Sequence, residues 1–103
     1  MNCTYILECG DGSFYTGWTN NIEKRLEAHR SGAGAKYTRG RGPIRLVCLE
    51  VYETQSEAMH REAYIKRLTR IEKLAIIHMS DWKEHLAEWG LADLALTETE
   101  NVP

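Results

Sequence analysis

A chain of 103 residues, 43% of them hydrophobic, suffices for one domain with a modest core and leaves little room for a second. Nothing reads as a signal peptide and no apolar run approaches the roughly 20 residues that cross a bilayer, while three cysteines (Cys3, Cys9, Cys48) without a CxxC pair speak against a disulfide framework or a zinc knuckle and for small buried hydrophobes of a cytoplasmic protein. The net charge of −2 argues against a nucleic-acid binder until it is divided along the chain: residues 24–73 carry twelve Lys or Arg and six Asp or Glu, and both flanks are acidic.

Residues 3–9 and 14–18 are rich in strand formers, and Gly10-Asp11-Gly12-Ser13 between them is a hairpin signal. A three-residue loop over Gly10-Asp11-Gly12, with Gly12 left-handed, sets Cys9 opposite Ser13, Tyr5 opposite Gly17 and Leu7 opposite Tyr15. Tyr5 and Tyr15 then share a face of the sheet. A two-residue loop at Asp11-Gly12 puts them on opposite faces. Asn20 or Asn21 caps a helix running to about Ser31, with Gly32 just past its end. Ile22 and Leu26 form its apolar edge, and Arg25 and His29, four apart, share another face.

Residues 32–43, rich in glycine and bases, read as a loop, and residues 44–52 as a third strand carrying Leu46, Val47, Leu49 and Val51. Thr54-Gln-Ser-Glu57 fits a capping box that opens a helix to about Leu68, and Thr69-Arg-Ile-Glu72 fits a second that opens a helix to about Met79. Ser80 is expected to cap a last helix ending near Gly90. Residues 97–103 have little to bury and read as a disordered tail. The order strand, strand, helix, strand and three helices predicts an α+β domain, a three-stranded antiparallel sheet flanked by helices. Residues 1–79 form its body and 80–96 a helical extension.

Tyr5 on the first strand, Tyr15-Thr16-Gly17 on the second, Arg25 and His29 on the first helix and Glu62 on the second together resemble the pattern of the GIY-YIG nuclease superfamily. The first motif reads Cys3-Thr4-Tyr5, so only its tyrosine matches, and the second has Thr for the central Ile. The similarity runs over about residues 4–77. The segments at Lys36–Pro43 (Lys-Tyr-Thr-Arg-Gly-Arg-Gly-Pro) and Arg61–Lys66 (Arg-Glu-Ala-Tyr-Ile-Lys) resemble the short, stand-alone bacterial branch. Any one motif is weak; five positions in order on matching elements are specific. The resemblance implies a metal-dependent nuclease that hydrolyses phosphodiester bonds in nucleic acid, DNA foremost, in repair or processing. It also selects the three-residue hairpin loop, because that chemistry needs both tyrosines together.

The resemblance implies a role for each residue. Tyr5 would be the general base that activates water, and Tyr15 would orient the attack or share that role. A free tyrosine titrates near pH 10, so positive charge must lie close for this to work at neutral pH. Arg25 would hold the scissile phosphate with its planar fork, and His29 would relay a proton or fix a phenol. Glu62 would hold Mg²⁺ or Mn²⁺. It falls within the apolar stripe of Ala58, Ile65 and Leu68, where a carboxylate costs stability unless it is paired or binds a cation, and one carboxylate with waters and phosphate suits Mg²⁺.

Taken singly, each of these residues also has a structural reading: strand packing for the tyrosines, a solvent-facing ion pair for Arg25, a structural histidine, and a Glu62–Lys66 pair. Nucleic acid would meet Gly17, Lys36, Tyr37, Arg39, Arg41 and Lys66, with Arg45 at the end of the basic loop. There the bases track phosphates while Tyr37 either stacks on a base or packs on the core. A domain this small offers few contacts for reading bases, which speaks against sequence-specific cutting, and a protein partner could supply specificity. The competing reading is a non-catalytic nucleic-acid-binding module or a subunit of a larger complex. A protein whose basic loop docks an acidic partner is a third.

Overall fold

The computed structural model describes residues 1–94, and the expected tail at 97–103 lies outside the described residues. In chain order the elements are β1 (Asn2–Glu8), β2 (Phe14–Thr19), α1 (Ile22–Ser31), β3 (Arg45–Tyr52), α2 (Gln55–Lys66), α3 (Arg70–Met79) and a short 3₁₀ helix (Trp82–His85). The strands pair antiparallel in the order β2-β1-β3, which makes β1 the central strand.

The hairpin takes the three-residue form. Gly12 is left-handed at φ 83°, Cys9 N–H donates to the Ser13 carbonyl at 2.8 Å, and the register sets Tyr5 against Gly17 and Leu7 against Tyr15. Tyr5 and Tyr15 therefore stand on one face. That face carries the larger core, with Cys3, Leu7, Leu46 and Leu49 packed on Ile22 and Leu26 of α1 and on Trp82 and Leu86. The other face carries Ile6 and Cys48 against Ile65 of α2. All three cysteines are free and buried.

Capping sets the helix starts. Asn21 accepts from Lys24 N–H at 3.1 Å to open α1, and Gly32 closes it at φ 84°. Both threonine capping boxes form, at Thr54 with Glu57 and at Thr69 with Glu72. Two cross-links seat α2 on the sheet: Thr4 Oγ1 donates to the Ala58 carbonyl at 2.7 Å, and Arg61 grips Glu50 of β3 through two bonds of 2.8 and 3.2 Å.

Several boundaries differ from the sequence expectation: β1 lies one residue earlier, at Asn2–Glu8, and β2 runs on to Thr19. The third strand begins at Arg45, although Ile44 is buried, and α2 stops at Lys66 with Arg67 as its C-cap. The last helix does not form as expected. Ser80 closes α3, and from Trp82 to Gly90 the chain makes a 3₁₀ helix and turns, with Gly90 left-handed. The cause is tertiary. Trp82 donates its indole N–H to the Val47 carbonyl at 3.0 Å, and Leu86, Leu91 and Leu94 are each buried, so the segment follows the core instead of a helix axis.

Candidate active site

Four of the expected residues meet where α1 crosses the β1–β2 hairpin. The four-residue spacing on α1 turns Arg25 and His29 toward the same phenol. Tyr5 Oη lies 2.9 Å from His29 Nε2, and Arg25 Nε donates to Tyr5 Oη at 3.4 Å. Tyr15 joins from the next strand, its ring centroid 6.4 Å from that of Tyr5 and 5.3 Å from that of His29. Tyr5 is 1% exposed and His29 2%, whereas Tyr15 and Arg25 are half-buried. The set is thus a buried hydrogen-bonded pair with two groups at its mouth.

Gly17 is buried, and what it gives the site is space. A Cβ there would stand 2.5 Å from Tyr5 Oη and 2.7 Å from Cζ, so the phenol occupies the volume any other side chain would fill. The neighbouring Thr16 carries the one buried side-chain polar atom without a hydrogen-bond partner among the described residues.

Burial pushes the Tyr5 phenol up to about 12; the Arg25 hydrogen bond and charge pull it down, and Tyr15 and Glu62 push it further up. Burial, and then the charge of Arg25, hold His29 down at about 4, so the ring is neutral near pH 7. Glu62 therefore lies within electrostatic reach of Tyr5. Its side chain is 21% exposed and pairs with Lys66 Nζ at 3.7 Å, so the stripe position and the i, i+4 pair hold together. Among the described residues no three His, Cys, Asp or Glu gather into a cage for a metal. A lone, half-buried carboxylate beside an exposed edge fits a cation that keeps waters and takes substrate oxygens, as Mg²⁺ does.

The basic loop divides. Tyr37, 41% exposed, stacks on Tyr15 with centroids 5.8 Å apart, and the Arg41 guanidinium lies 4.4 Å from the Tyr37 ring centre. Arg41 also pairs with Asp11 at 2.6 Å, and Arg45 pairs with Glu8 at 2.9 Å. Lys36 and Arg39 are exposed and have no ion-pair partner among the described residues. Lys66, half-exposed, stands with Nζ 6.0 Å from the Tyr15 ring centre, linking α2 to the aromatic cluster. Tyr37 accordingly packs on the site while keeping part of its surface open.

Two residues of this cluster carry no sequence signal. Thr38 is buried and its Oγ1 lies 2.8 Å from His29 Nδ1. Gly34 passes so close behind the ring that a Cβ would stand 2.5 Å from Nδ1. Only the folded loop shows either contact, because Thr and Gly are ordinary loop residues.

Known proteins resemble this chain over most of its length. A family model described as the GIY-YIG catalytic domain matches residues 1–75. The UPF0213 protein CPE1444 of Clostridium perfringens is 60% identical over 84 residues, covering 82% of this chain and 90% of that protein. The UPF0213 protein VNG_2274C of Halobacterium salinarum is 47% identical over 76 residues, covering 74% of this chain and 99% of that one. The solution structure of the UPF0213 protein BH0048 from Bacillus halodurans matches with a TM-score of 0.52 at 49% identity, over 77% of this chain and 85% of that chain.

Proposed function

Because the chain belongs to the GIY-YIG catalytic domain family, we propose that it is a divalent-metal-dependent nuclease that hydrolyses phosphodiester bonds, DNA foremost, in repair or processing. The observation that carries this reading is the buried Tyr5–His29 pair, with Arg25 bonded to the same phenol and Glu62 in range of it. In this reading Arg25 faces the scissile phosphate with the rest of its guanidinium and offsets charge that builds on the transition state. Tyr5 accepts the proton of the attacking water. Tyr15, packed between Tyr5 and Tyr37, orients that water and closes the mouth of the site.

Glu62 would hold the cation, Mg²⁺ or Mn²⁺, releasing Lys66 toward phosphate. A bound cation supplies positive charge that polarises the phosphate and eases proton loss from groups beside it. Around the site Lys36, Arg39 and Lys66 track the backbone of the nucleic acid, while Tyr37 offers its open surface to a base.

Labelled single-stranded, duplex and branched DNA and RNA, incubated with Mg²⁺ or Mn²⁺, test the reading. The protein is expected to cut at least one of them. Tyr5→Phe, which keeps the ring and removes the hydroxyl, should lower turnover by about 10²- to 10⁴-fold, the range a proton-transferring group contributes. Undiminished cutting by Tyr5→Phe would remove Tyr5 from the chemistry.

A further inference from the structure

The loop behind His29 brings a partner to each side of the Thr38 hydroxyl. Thr38 has one hydroxyl proton, and the Ala35 carbonyl, which can only accept, lies 3.0 Å from Oγ1. With that proton directed to Ala35, Thr38 Oγ1 can meet His29 Nδ1, 2.8 Å away, only as an acceptor. Nδ1 is then the donor. A neutral imidazole protonated at Nδ1 has a bare lone pair at Nε2, and Nε2 is the atom that faces Tyr5 Oη at 2.9 Å. The phenol must donate to it, while the phenol oxygen accepts from Arg25 Nε. Each donor in the row Arg25, Tyr5, His29, Thr38 finds an acceptor, ending at the Ala35 carbonyl, whereas a proton on Nε2 would set two donors face to face at Tyr5 and two lone pairs face to face at Thr38.

We propose that Thr38 is a positioning residue that holds His29 in the Nδ1–H tautomer, so that Nε2 takes the phenol proton as Tyr5 accepts one from the attacking water. The proposal rests on the nuclease reading. The water O–H bond breaks and its proton bonds to Tyr5 Oη, the original phenol proton moves to His29 Nε2, and Tyr5 remains neutral throughout. The hydroxide forms a P–O bond as the P–O bond to the leaving oxygen breaks. The leaving oxygen keeps that electron pair and is protonated from solvent, to which the His29 imidazolium then returns its proton. No free phenolate is required, which suits a phenol held up at about 12 by burial. The ionisable groups seen to bond to or pack on the ring are Tyr5 of β1, Tyr15 of β2 and Arg25 of α1. Gly34 lets the loop close over Nδ1.

The test is ¹⁵N NMR of the histidine ring nitrogens in the intact chain near neutral pH, together with turnover on the most readily cut substrate. Wild-type His29 is expected to show a protonated Nδ1 and a bare Nε2. Thr38→Val should shift the proton toward Nε2 and lower kcat by about 10²-fold with little change in KM, the low end for a proton-transferring group. Thr38→Ser, which keeps the hydroxyl, should restore both. A wild-type ring protonated at Nε2 overturns the proposal, and does so even if Thr38→Val fails to fold. Ring shifts or a kcat unchanged by Thr38→Val overturn it too. The expected tautomer with no cleavage of any substrate upholds the positioning of His29 and sinks the nuclease reading instead.

Discussion

His29 illustrates how one residue ties stability to pH. The ring is buried and neutral, and burial sets its folded pKa at about 4, below the 6.5 of an unfolded histidine. Between those values the unfolded chain binds more protons than the folded one, so stability rises with pH across that window. Read downward, stability is whole above about pH 6.5 and is lost progressively as pH falls toward about 4. Urea midpoints measured from pH 7 to pH 4 should therefore drop, and His29→Gln should flatten part of that slope. An equal slope in both proteins would mean that the ring is not buried in neutral form.

The same scale shows why Thr38 and Gly34 escaped the sequence reading while Arg25 and His29 did not. A four-residue spacing on a helix announces a shared face. A threonine nine residues beyond His29 announces nothing until the loop folds back on the ring. Gly17 stood out as part of a motif, but its use is legible only once the Tyr5 phenol is seen lying over it.

Among the elements, β2 carries an imperfection as well as the motif. Thr16 is 4% exposed and its hydroxyl has no partner among the described residues. An orphaned buried hydroxyl costs stability, and an apolar group of the same shape removes that cost. Thr16→Val should stabilise the fold by about 1 kcal/mol, read from the urea midpoint at constant m-value. Destabilisation would show that the hydroxyl is satisfied in solution. The caps and α1 were legible because their signals are local, an asparagine pair before the helix and two Thr-x-x-Glu boxes, whereas the hairpin register was settled only by the resemblance, which requires Tyr5 and Tyr15 on one face. The segment after α3 was not, because the Trp82 indole bond to Val47 and the scattered burial of Leu86, Leu91 and Leu94 are long-range effects that override helical spacing.

On the scale of the whole molecule, a net charge of −2 hides a basic stretch over residues 24–73. The structure then separates cations already paired within the protein from those that are open. Arg41 is held by Asp11 and Tyr37, whereas Lys36 and Arg39 stand exposed without an ion-pair partner among the described residues. If the open pair contacts phosphate, Lys36→Ala and Arg39→Ala should each reduce the slope of log affinity against log salt by about 0.9 on duplex DNA, and Arg41→Ala by less. A larger loss from Arg41→Ala would reverse the assignment. No described helix is long and apolar enough to cross a membrane.

If Glu62 holds a catalytic cation beside the Tyr5 phenol, wild type and Glu62→Ala must differ on the labelled substrate panel, assayed with Mg²⁺ or Mn²⁺ and with EDTA. Wild type is expected to cleave, and that cleavage to be lost both in EDTA and in the folded Glu62→Ala protein. Equal cleavage by the two proteins, or cutting that survives EDTA, would contradict that role of Glu62.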